Sequence, residues 1–193
     1  MHRSSAIALA GFALLLAACA PGNPRTLANQ FVTYTYADYA AVTSNRDARV
    51  VMRGNPFAMT QADFDEWVTY NMEHRGGNMG TNFTTGPTTN ADPNFEVVWI
   101  FNGPTTVQAD ELCINPGGFP TRSGPATQLN VLVAFCRFHR AASWVEGWLD
   151  GSPQGVPREG FEKLIQQMTR ELFPAVARDD PRRDSGRCGG PFC

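Results

Sequence analysis

The chain has 193 residues, of which 42% are hydrophobic, 18% charged and 11% aromatic, with a formal net charge of −2 at pH 7. This apolar content excludes an intrinsically disordered chain, and charge so evenly balanced excludes an electrostatically driven nucleic-acid binder. The length predicts one domain.

The chain opens with His2 and Arg3, an almost unbroken apolar run from Ala6 to Leu16, and small residues before Cys19. A charged start, a short apolar stretch and a small-residue end form a processing signal, set apart from the fold. The run is too short for a permanent span, which needs ~20 apolar residues. Its end, Leu16-Ala17-Ala18-Cys19, resembles the lipobox of bacterial lipoproteins. The resemblance implies cleavage before Cys19, which becomes the first mature residue and carries a diacylglyceryl thioether and an N-acyl chain. The alternative is a secretory signal cut elsewhere, with an incidental cysteine. Burial of acyl chains contributes ~0.8 kcal/mol per methylene, so several chains on one cysteine anchor the protein permanently in the lipid bilayer. In that family an aspartate after the cysteine often retains the protein in the inner membrane. Ala20 stands there, which implies the outer membrane, facing the periplasm. Loss of residues 1–18 removes one basic residue, Arg3, and no acidic one, leaving 15 basic against 18 acidic and a charge of −3. Anionic lipid is therefore not an expected target. Residues 19–28, with Pro21, Gly22, Asn23 and Pro24, read as the lipidated cysteine and a tether that spans at most about 30 Å.

A single domain is expected over residues 29–176. Phe31–Tyr36 alternates as a strand, and Arg49–Arg53 is a second, ended by Gly54-Asn55-Pro56. Thr60 with Asp63 gives a weak capping box, and Phe64, Trp67, Val68 and Met72 recur at helical spacing, so a helix is predicted up to Gly76-Gly77. Residues 76–94, rich in Gly, Asn, Thr and Pro, read as a long polar loop. Phe95–Phe101 is apolar on both faces, as for a central strand, and Asn102-Gly103-Pro104 ends it. Leu129–Phe138 is another strand. Ala142–Leu149 fits strand or helix, with a strand favoured, hairpinned through His139-Arg140-Ala141. Pro157 in a first turn, the stripe Phe161, Leu164, Ile165, Met168 and Leu172, and Pro174 beyond it predict the last helix. Residues 177–193 read as a flexible, charged tail.

The expected class is α+β, with an antiparallel or mixed sheet of about four to five strands and two amphipathic helices packed on it. This order resembles the small α+β domains of periplasmic accessory lipoproteins, including activators of cell-wall synthases.

Four cysteines remain after lipidation, Cys113, Cys136, Cys188 and Cys193. In an oxidising compartment they pair in one of three ways, with Cys113–Cys136 and Cys188–Cys193 favoured. A zinc reading rests on Cys136-x-x-His139 alone, and residues three apart on a strand face opposite sides, so neither metal nor cofactor is expected. His74 and His139 read as exposed polar residues. No Gly-x-Ser-x-Gly elbow and no phosphate-cradling glycine motif occurs, and Ser152 and Ser185 fall in loops. Asp63, Asp65, Glu66, Glu73 and Glu146 are the carboxylates available for acid and base work, against the simpler reading of solvated faces. Trp67 and Trp99 are expected in the core. Trp144 and Trp148 share a face and either are covered by a helix or line a groove for sugar or peptide.

With no catalytic residues assigned, two functions remain. The leading one is an anchored accessory, scaffold or binding module for another envelope component, an envelope protein or the cell wall, using residues 76–94 or 177–193. The alternative is an anchored hydrolase of cell-wall or other periplasmic substrate, working through carboxylates. A pocket joining Glu146 to a second carboxylate would favour the hydrolase.

Overall fold

The computed structural model describes residues 24–30, 34–75, 80–122, 128–150 and 159–174. The segment read as a processing signal, Cys19, Ser152, Pro157, Ser185, Cys188, Cys193 and residues 177–193, read as a charged tail, lie outside them. The fold is α+β. Six strands, β1 (Pro24–Gln30), β2 (Asp47–Arg53), β3 (Asn82–Thr84), β4 (Phe95–Phe101), β5 (Gln128–Arg137) and β6 (Arg140–Asp150), form one mixed sheet in the order β1-β6-β5-β4-β2-β3. Four helices accompany it, α1 (Tyr36–Thr43), α2 (Gln61–Arg75), α3 (Ala109–Ile114) and α4 (Glu159–Leu172).

β2 runs parallel to both β3 and β4, with α2 crossing between β2 and β3. β4, β5 and β6 form an antiparallel meander, and β1 closes one edge antiparallel to β6. Alternation along the strands separates two layers. One face carries Val50, Val97, Trp99, Phe101, Leu129, Val131, Val133, Phe135 and Val145, all buried against the stripes Phe64, Val68, Met72 of α2 and Phe161, Leu164, Ile165, Met168, Leu172 of α4. Gly147 lets α4 approach β6, since a Cβ there would stand 2.5 Å from Met168 Sδ and 2.9 Å from Leu164 Cδ1. The opposite face holds a smaller cluster, where Ala109, Leu112 and Cys113 of α3 cover Val98, Ile100, Ala134, Cys136 and Ala141.

Several expectations are revised. β1 begins at Pro24, inside the segment read as tether. Pro is accepted at the start of an edge strand, and polar contacts to α4 add to the packing of Ala28 on the core: Gln167 Nε2 donates to Thr26 Oγ1 (2.7 Å), which donates to Glu171 Oε1 (2.9 Å). Of the strand expected at 31–36, residues 31–33 lie outside the described set, and Tyr36 opens α1. There Thr35 caps the helix, its Oγ1 accepting from Asp38 N at 3.0 Å. The expected polar loop contains β3, and its residues 80–94 are docked rather than free. The sheet has six strands against the four to five expected, and two short helices, α1 and α3, join the two expected.

Candidate functional site

The expected Cys113–Cys136 disulfide is present, with Cα atoms 5.4 Å apart, and ties α3 to the central strand β5. Both residues are buried. Cys136 is thereby removed as a metal ligand, and no group of metal-holding residues occurs among the described residues.

The carboxylates separate into structural and exposed ones. Thr60 caps α2, its Oγ1 accepting from Asp63 N at 3.1 Å and donating to Asp63 Oδ2 at 2.7 Å, so Asp63 is held in the cap. Glu73 Oε1 accepts from Phe83 N at 3.1 Å and pins β3. Glu66 is exposed, and Asp65 is raised by desolvation, partly offset by the Gln61 amide at 2.6 Å. Asp47, which sequence reasoning did not single out, organises the loop that follows β3. Its carboxylate accepts from Thr88 N, Thr88 Oγ1 and Asn82 Nδ2, each at 2.7 Å, while Asp47 N donates to Asn90 Oδ1 at 3.1 Å. These donors, Thr88 first, hold its carboxyl below the usual carboxylate range. Most of the segment read as a long polar loop is thus a structural part of the domain.

Two surfaces carry unusual chemistry. The first is the tip of the β5–β6 hairpin. The chain turns through Phe138 and His139, one residue earlier than expected, with φ of 50° and 60°. A two-residue turn with both residues left-handed is a type I′ geometry that favours Asn-Gly, and each bulky residue held there costs of order 1–2 kcal/mol. Phe138 nonetheless stands 57% exposed at the apex. Its backbone N donates to Asn94 O at 2.9 Å, fixing the tip to the start of β4. The Arg137 guanidinium lies over two adjacent rings, 5.8 Å from Phe95 and 5.5 Å from Phe138, and its Nη1 pairs with Asp38 Oδ2 at 3.1 Å. Glu96, nearby on β4, has its carboxyl raised by burial, with Arg49 and then His139 pulling the other way. A shallow cleft beside it is lined by Val42, Asp47, Arg49, Asp92, Phe95 and Glu96. His139, read from sequence as merely an exposed polar residue, is exposed, and it is part of this electrostatic group.

The second surface is the sheet face opposite α2 and α4. Trp144, Glu146 and Trp148 project from β6 on that side, half-buried, and α3 does not reach the whole of it. Cross-strand register places Leu27 and Leu132 on either side of Glu146 and Arg25 beside Trp148. Apolar neighbours on all four sides raise the Glu146 carboxyl by desolvation. Neither expectation for Trp144 and Trp148 is met in full, since no long helix covers them and the surface is an open face rather than a groove. Trp99 is buried as expected, and Trp67 is half-buried, stacked on Phe161 at 5.3 Å.

The three carboxyls raised by burial do not converge. Glu146 lies opposite Leu132 and Glu96 opposite Cys136, four residues along β5 and two strands apart, so their Cα atoms are about 16 Å from one another. Asp65 belongs to α2, in the layer across the sheet. The carboxyl groups of a catalytic pair for glycoside cleavage stand roughly 5–9.5 Å apart across one bond, and the cleft that Glu96 lines does not include Glu146.

No protein-family model matches the chain, and no curated protein does. Among solved structures it is similar to PelC dodecamers from Paraburkholderia phytofirmans. A variant in space group C2 is 11% identical, covering 80% of this chain and 98% of that chain at a TM-score of 0.41. A second, in space group P6, is 10% identical, covering 80% of this chain and 99% of that chain at a TM-score of 0.42.

Proposed function

We propose that the chain is a lipid-anchored, periplasm-facing accessory or binding module of the bacterial outer membrane. Acyl chains on Cys19 hold it, and the β5–β6 tip engages another envelope component. The observation that carries the reading is the tip itself, where two consecutive non-glycine residues are kept left-handed and one of them, Phe138, is displayed to solvent. Backbone strain kept at an exposed aromatic is a reason to look for function at that position. Phenylalanine and arginine are also both enriched at protein interfaces. The anchor is supported by Leu16-Ala17-Ala18-Cys19, and the oxidising compartment by the buried Cys113–Cys136 disulfide. The wide separation of Glu96, Glu146 and Asp65 supports binding over the hydrolase reading.

The test compares Phe138→Ala with Glu146→Ala and Asp65→Ala in cells carrying no other copy. Removing the ring at a hot spot costs 2 kcal/mol or more, at least about thirtyfold in affinity. Phe138→Ala is therefore expected to reproduce the null phenotype with thermal unfolding unchanged, and the carboxylate variants are expected to behave as wild type. A null phenotype from a folded carboxylate variant, with Phe138→Ala silent, would establish the hydrolase instead.

A further inference from the structure

We propose that the part of the sheet face left open beside α3, formed by Leu27, Trp144, Glu146 and Trp148, lies on the bilayer surface, so that the domain is held against the membrane rather than swinging from its anchor. The inference rests on the acylation of Cys19 proposed above and adds an orientation to it.

The first argument is the length of the connection. β1 starts at Pro24, so only residues 20–23 separate the sheet from the lipidated cysteine, and five Cα steps span at most about 18 Å. The second is where that connection ends. Pro24 is paired with Leu149 and Arg25 with Trp148, so the anchor enters the fold beside one of the two tryptophans. The third is the composition of the face. Leu27 is 52% exposed, with Trp144 and Trp148 half-buried on the same side and about 13 Å apart along β6, Trp144 flanked on its inner side by the α3 cluster. Indole rings prefer the headgroup level, where the ring is apolar and its N–H remains wet. Glu146 stands between the rings, and the Arg25–Asp150 pair, 3.0 Å apart, leaves the neighbouring charge balanced. A carboxylate in that place disfavours anionic headgroups and matches the ammonium of an ethanolamine phospholipid. The other two tryptophans are remote from this face, Trp99 fully buried and Trp67 on α2 in the layer across the sheet.

The experiment uses the full chain purified from membranes and reconstituted into phosphatidylethanolamine vesicles with and without brominated acyl chains. The mass of its N-terminal peptide is measured in parallel. Bromine is expected to quench tryptophan emission by up to about half, because two of the four tryptophans reach the lipid. The Trp144→Phe/Trp148→Phe variant is expected to lose that quenching. Should it not fold, Leu27→Asn, a change at an exposed site, is expected to weaken it while leaving the rings in place. An acylated protein with no bromine-dependent quenching would overturn the docking and leave the anchor standing, whether the face is then taken by residues 151–158, by a second copy or by a sugar chain. An N-terminal peptide without acyl chains would overturn the anchor itself, and the docking with it.

Discussion

Breaking the Cys113–Cys136 link is the perturbation whose magnitude follows most directly from the fold. The two cysteines are separated by 23 positions, so the bond closes a loop of 24 residues counting both ends. In the chain-entropy account, a loop of that size restricts the unfolded chain by about 3 kcal/mol. The folded domain spans about 150 residues, for which unfolding entropy near 2.1 cal/mol/K per residue gives about 0.3 kcal/mol per degree. The Cys113→Ala/Cys136→Ala variant is therefore expected to melt about 10 °C below the oxidised protein. Both sulfurs are buried between α3 and β5, so alanine also removes apolar contact and the shift is not expected to be smaller. Calorimetry of the variant beside the wild type, each first mapped by peptide analysis without reduction, measures it. A shift below about 3 °C would refute the reasoning. A map joining Cys113 to Cys188 would show that α3 is tied to the tail and not to the sheet.

Two further expectations concern the loop after β3 and the tip. Asp47 has a depressed folded pKa, so it stabilises the fold above the unfolded carboxylate pKa near 4, and that contribution is lost as the pH falls through the lower folded value. Asp47→Ala should lower the denaturation midpoint at pH 7 and flatten its fall between about pH 5 and 2; an unchanged acid limb would mean that the Thr88 and Asn82 bonds do not form in solution. His139→Gly releases a left-handed residue that lacks glycine's freedom and should raise stability by about 1 kcal/mol in urea, whereas a loss would show that the imidazole contributes more than the strain costs.

The elements legible in the sequence were those whose burial repeats with a clear period. β4 is buried over most of its length and was read as a central strand because Phe95–Phe101 has no polar side. The stripe of α4 was readable because all five of its apolar positions face the sheet. β1 was not, since Thr26, Asn29 and Gln30 carry no strand signature and its place depends on β6 and on polar contacts to α4. α3 is six residues long, and its Gln108 N to Glu111 Oε2 contact, at 3.4 Å, leaves little local pattern to read. β3 has only three residues, and its pairing with Asp47–Arg49 is a property of the tertiary fold. At the tip, a hairpin is expected through His139-Arg140-Ala141, and the turn falls instead on Phe138-His139, where propensity places Asn-Gly. That local conflict is what marks the position. Glu96 and Arg49 were missed for a different reason, since they meet His139 only through the parallel register of β2 with β4 and the antiparallel register of β4 with β5.

Site-specific photocrosslinking from the apex of the hairpin addresses the central claim most directly. A photoreactive phenylalanine analogue at position 138, in the full chain expressed in cells, is compared with the same analogue at the exposed position 62 on α2. Position 138 is predicted to give a single light-dependent adduct with an envelope component, formed only while the protein is membrane-bound and lost when Cys19→Ser releases it. Adducts that appear equally from positions 138 and 62, or none from 138 in a membrane-bound protein, would contradict the assignment of the tip as the binding surface.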